Sequence, residues 1–144
     1  MNKNTVFLFV FVSFFSWMTS AATLVVEGLR SQDGYVAVSI FSESNQAAYP
    51  DKASEAAQAY YVPIQDQGSV EIQLKGLRPG RYAVTVMHDE DGDGTLKKGP
   101  MGIPKEGFGF SNNPRVFFGA PDFDKVVTPI LEKTLVKISV KYLL

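Results

Sequence analysis

The sequence predicts an all-β fold: a two-sheet antiparallel sandwich of about seven short strands, with one short helical insert and one long Gly/Pro-rich loop. Three observations carry that reading. Apolar residues recur at every second position in short runs, turn dipeptides separate the runs, and only one brief stretch has helical character. The composition agrees. Of 144 residues, 45% are hydrophobic and 12% aromatic, enough to bury a core and offset the entropy of ordering, which excludes a disordered chain.

The first element is a secretory leader over residues 1–22. Lys3 supplies the positive charge, residues 6–18 form the apolar run, and Ser20-Ala21-Ala22 are small cleavage-site residues. That run of 13 residues is shorter than the roughly 20 a spanning helix needs, so a cleaved signal is expected rather than an anchor. The mature product is then a single domain, residues 23–144, exported to the periplasm or the exterior, with no transmembrane segment of its own.

Leu24 and Val26 alternate with Val25 and Glu27 in the first strand. After Asp33-Gly34, Val36, Val38 and Ile40 share a face of the second, and the turn signal between them predicts a hairpin. The alanine-rich stretch around Pro50 suits a short helix starting near Asp51. Strand character returns from Tyr60 to Ile64, then in Val70, Ile72 and Leu74. Pro79-Gly80 makes a turn before Tyr82, Val84 and Val86. A weaker strand is expected within residues 125–131, and the last has Val136, Ile138, Val140 and Tyr142 on one side.

Charge and cysteine content exclude several functions. With 14 basic against 15 acidic residues there is no electrostatic case for nucleic acid. The absence of cysteine excludes disulfides, a zinc ribbon, a thiol nucleophile and a lipid-modified cysteine.

Periodicity stops over residues 89–125, which contain seven of the 12 glycines and four of the eight prolines. Loops this long are usually functional or disordered. Phe108, Phe110, Phe117, Phe118 and Phe123 are too many large apolar groups for a solvated tail, so the segment is expected to pack on the sandwich. Within it, Asp89-Glu90-Asp91-Gly92-Asp93-Gly94-Thr95 matches the opening half of an EF-hand-type loop. Asp89, Asp91, Asp93 and the Thr95 carbonyl would be metal ligands, with calcium as the apt ion for an all-oxygen set. Pro100 stands where the closing glutamate belongs, so Glu106, Asn112 or Asp122 would have to supply that oxygen. The same residues also make a plain polar turn.

His88, the only histidine, precedes these carboxylates with the parity of a buried position. It suits either a proton carrier working with Asp89 or Asp91, or a strand-end side chain bonded to loop backbone. Gly107-Phe108-Gly109-Phe110 reads as an aromatic ligand platform or as a loop anchor.

Leu77-x-Pro79-Gly80-x-Tyr82, His88-Asp89-x-Asp91-Gly92-Asp93-Gly94 and Gly102 through Asn113 together resemble the bacterial domain-of-unknown-function family 2141 over most of the mature chain. That resemblance implies a small secreted protein with a transthyretin-like or immunoglobulin-like sandwich, and it implies no reaction. The family usually follows the acidic loop with Leu-Asp, where this chain has Leu96-Lys97. Transthyretin-related hydrolases use several histidines, against one here.

Three functions follow. The favoured one is a non-catalytic secreted or periplasmic module binding a protein or glycan through its long loop, with calcium ordering of that loop and the plain polar turn as the two readings of the acidic stretch. The second is a hydrolase using His88 with Asp89 or Asp91, and the third a structural subunit of an envelope assembly.

Overall fold

A computed structural model describes residues 21–66 and 68–144. The expected leader falls outside these residues apart from Ala21 and Ala22, and Ala22 opens the first strand.

Among the described residues, eight strands form two sheets: β1 (Ala22–Glu27), β2 (Tyr35–Ser42), β3 (Gln58–Pro63), β4 (Ser69–Leu74), β5 (Gly80–Asp89), β6 (Gly107–Phe110), β7 (Thr128–Ile130) and β8 (Leu135–Ser139). One sheet has the order β4-β1-β8; the other runs β3-β2-β5, with β6 and β7 both lying along β5. Period-two alternation gives each sheet one apolar face. Leu24, Val26, Ile72, Leu74 and Ile138 meet Val36, Val38, Ile40 and Val84 in a common core. Burying one such side chain contributes about 1.5–3 kcal/mol.

Two local expectations are corrected. β1 and β2 are not a hairpin. β1 pairs antiparallel with β4, Ala22 opposite Leu74, and parallel with β8, Thr23 opposite Leu135. Leu29 is drawn into the core between them, so the link crosses from one sheet to the other instead of turning back, and Asp33-Gly34 only redirects the chain into β2. The parallel β1–β8 pair is the exception in an otherwise antiparallel arrangement.

The expected helix near Asp51 is instead two short 3-10 segments, Glu43–Ala48 and Ala53–Glu55. The Asn45 side chain accepts the Ser42 N–H at 2.6 Å and ties the first one down. Tyr49 then turns onto Phe41 and Phe123, with ring centroids 5.8 and 5.6 Å away. A continuous helix through Pro50 would lose that contact and a backbone hydrogen bond. The insert and α1 (Phe123–Val126) cover the outer face of the larger sheet, burying Phe41 and Ala83.

The long segment is packed along most of its length, as its phenylalanines imply. It holds β6, α1 and a 3-10 turn at Pro100–Gly102. In β6 the glycines face inward and the phenylalanines outward. A Cβ on Gly107 would lie 2.5 Å from the Val140 and Tyr142 side chains, and one on Gly109 2.6 Å from Ile138. Only glycine lets β6 lie this close to the chain leaving β8. There Phe108 N–H donates to Lys141 O at 3.0 Å and Lys141 N–H to Phe108 O at 2.8 Å, joining the two sheets along one side. The Asn113 amide continues the seam, donating to Lys137 O at 3.0 Å and accepting Ser139 N–H at 2.8 Å. Phe117 and Phe118 depart from the expectation: they are 75% and 98% exposed.

Candidate functional site

The candidate site grows from the end of β5, where the strand delivers His88 and Asp89 side by side without solvent exposure. His88 points into the sandwich. Its Nε2 lies 2.9 Å from the Asp33 carbonyl, so that nitrogen carries the proton; Nδ1 then accepts from the Tyr142 hydroxyl at 2.6 Å. Both ring nitrogens are thus engaged by the fold, one of them by loop backbone as the strand-end reading expects.

Asp89 points outward and organises the loop. Its Oδ1 accepts the N–H of Gly92 at 2.9 Å and of Asp93 at 3.2 Å; Oδ2 accepts the N–H of Gly94 at 2.7 Å and the Tyr61 hydroxyl at 2.5 Å. Burial pushes the Asp89 pKa up, but the Tyr61 hydroxyl and the three backbone donors outweigh it and leave the carboxyl below its ordinary value. The same bond raises Tyr61 to about 12, since it must give up a proton beside a carboxylate. Tyr61 also stacks on Tyr35, centroids 4.4 Å apart. Beneath the loop, Gly34 sits so close that a Cβ there would meet the Asp89 carbonyl.

Glu106 staples the loop's ends, its Oε1 accepting the Glu90 N–H and its Oε2 the Lys97 N–H, each at 3.0 Å. The Lys97 ammonium contacts Asp91 and lies 3.7 Å from Asp93. Asp93 meanwhile accepts both the N–H and the hydroxyl of Thr95 at 2.8 Å. Alongside, Arg30 grips Glu90 through two bonds of 2.6 and 2.9 Å, reaches the Lys105 and Leu144 carbonyls, and lies 4.4 Å over the Tyr142 ring. Its hydrogen bond holds the Glu90 carboxyl below the usual range against the opposing effect of burial.

Of the four ligands read from the sequence, Asp89 and Asp91 come together with Glu106, one oxygen from each within 4.8 Å of the others. Asp93 and Thr95 turn onto one another. Among the closing donors weighed, Glu106 arrives; Asn112 instead donates to Lys125 O and Val127 O, and Asp122 pairs with Lys125. The all-oxygen donor set suits a hard cation, while the Lys97 ammonium already supplies positive charge to Asp91. Sequence reasoning missed Tyr61 and Arg30, 28 and 60 residues from their carboxylate partners, and no local signal announces either.

A cleft of about 630 Å³ is lined by Leu74, Leu77, Arg78, Ile130 and Leu131 at the opposite end of β5 and contains neither His88 nor any of these carboxylates. Among the described residues, no helix is long and apolar enough to cross a membrane.

The model of one family, described as an uncharacterized protein conserved in bacteria (DUF2141), matches residues 24–138, a span that takes in both sheets and the acidic loop. No curated protein and no solved structure matches the chain. With the match covering most of its length, from β1 to β8, the chain belongs to the DUF2141 family.

Proposed function

We propose that the protein is an exported, non-catalytic interaction module: a rigid sandwich that presents the segment between β5 and α1 as a shaped surface. One observation carries this reading. Among the described residues every buried side-chain nitrogen and oxygen has a hydrogen-bond partner, His88, Asp89, Glu106 and Ser111 included. A general acid or base needs a free nitrogen or oxygen within reach of substrate, and these groups are spent on the fold. The partner is a surface rather than an enclosed small molecule, since the segment packs across the outside of the sandwich and does not line the 630 Å³ cleft.

In this proposal calcium tunes the loop in competition with Lys97: the ion takes oxygens of Asp89, Asp91 and Glu106 once the ammonium leaves Asp91. Amide hydrogen exchange tests the shaped surface. Slow exchange is expected at Gly92, Gly94, Lys97 and Ser139, whose N–H groups meet side-chain oxygens. Exchange at the rate of a free chain throughout residues 90–122 overturns the reading.

A further inference from the structure

We propose that the Phe117-Phe118 tip is a membrane-insertion loop, and that the surface presented by this module docks on a lipid bilayer with anionic headgroups. The inference rests on the interaction-module reading above and names its partner.

The tip is a short excursion with both ends fixed. At its start Asn113 is bonded to β8 and Asn112 to the chain leaving α1; at its finish the Tyr49 hydroxyl donates to Pro121 O at 2.8 Å, and Phe123 is buried beneath. Between these rivets the chain reads Pro114-Arg115-Val116-Phe117-Phe118-Gly119-Ala120. Phe118 is 98% exposed, so it touches almost nothing of its own protein and stands on a projection rather than in a groove. Two adjacent rings held this way, on a base that needs no further ordering, are costly in water and demand a cover.

Shape and charge select the cover. A second copy fits poorly: two convex tips meeting would bury little more than their own rings, far below the roughly 1,200 Å² of a stable interface. A bilayer accepts convex apolar tips, because acyl chains deform around them. Arg115 and Phe117 are both exposed, so the tip offers a guanidinium for headgroup phosphate close to a ring for the hydrocarbon boundary. Lys137, whose carbonyl Asn113 holds, adds a second exposed cation beside the tip; neither it nor Arg115 is in an ion pair among the described residues. The acidic neighbours include Asp122, matched by Lys125 at 3.1 Å, Asp124 on α1, and Glu27, whose carboxylate accepts the Ser139 hydroxyl at 3.1 Å.

Vesicle flotation tests this with the chain beginning at Ala21, which carries every strand of both sheets. Wild type is expected to float with phosphatidylcholine vesicles and more strongly when they carry phosphatidylglycerol. Replacing Phe117→Ser and Phe118→Ser together should cut binding at least about tenfold with the melting temperature unchanged, since neither ring supports the fold. Arg115→Gln should reduce the phosphatidylglycerol increment, and Arg115→Gln with Lys137→Gln should remove it, leaving binding to phosphatidylcholine in place. Wild type that floats with neither vesicle overturns the proposal, as does a serine double variant that floats like wild type. So does a self-association, seen by sedimentation, that the double variant dissolves. Failure here with the loop amides still protected leaves the interaction-module reading standing; unprotected amides remove both.

Discussion

Asp89 carries more of the loop than any other side chain. Four donors converge on one buried carboxylate, and hydrogen bonds to a charged group contribute about 1.5–3 kcal/mol each before they are discounted for shared geometry. Asp89→Asn keeps the size but removes the charge and turns one acceptor into a donor facing N–H groups. It should lower stability by about 2–4 kcal/mol in a urea titration. The pH dependence has a definite sign. Asp89 and Glu90 are depressed in the fold, so their stabilisation is complete above the ordinary carboxylate range and is lost as pH falls through the folded values. Tyr61 is raised, so its contribution is complete below about pH 10 and is lost as pH climbs toward 12. Circular-dichroism melts should therefore show a plateau between these limits, and Asp89→Asn should flatten its acid edge. At Lys97 the expectation is competition: added calcium should raise the melting temperature of Lys97→Ala more than that of wild type, and Asp91→Ala should abolish the shift. The acidic triplet was legible in the sequence, as was the positive charge Lys97 brings to it, and Glu106 was one of three closing donors it offered. The role of Tyr61 was not, because it depends on where the distant β3 comes to rest.

Among the elements, β6 shows most clearly why pattern reading has an edge. Its Gly-Phe-Gly-Phe run alternates, but with the apolar side chains on the outer face and nothing at all on the inner one. Strand recognition looks for apolar groups that fill space, whereas here the requirement is that space be left for Val140 and Tyr142. Gly107→Ala should accordingly destabilise by about 1–3 kcal/mol, the cost of forcing a methyl into a filled site, measured by chemical denaturation. The strands with buried faces, β1, β2, β4, β5 and β8, were readable because each fills the core with one parity. The insert was readable only as an interruption. Tyr49 must reach Phe41 and Phe123, and that tertiary contact overrode the helix preference of its alanines.

At the scale of the whole molecule, strand recognition left pairing open, since alternation identifies a buried face and says nothing of the neighbour at its edge. The Asp-Gly signal pointed to the wrong partner for that reason. The true arrangement places β1 between β4 and β8, so the smaller sheet is assembled from the beginning, middle and end of the chain. Pairings this distant slow folding, and refolding in milliseconds to seconds is expected by stopped-flow circular dichroism. A chain ending before Leu135 should stay unfolded, because β1 loses one partner and β6 the seam that closes the sandwich.

The parallel pairing of first and last strands also sets when the protein can become itself. Residue 23 has to wait for residue 135, so a chain delivered amino end first stays pliable until its last strand is free to pair, and gains rigidity only then.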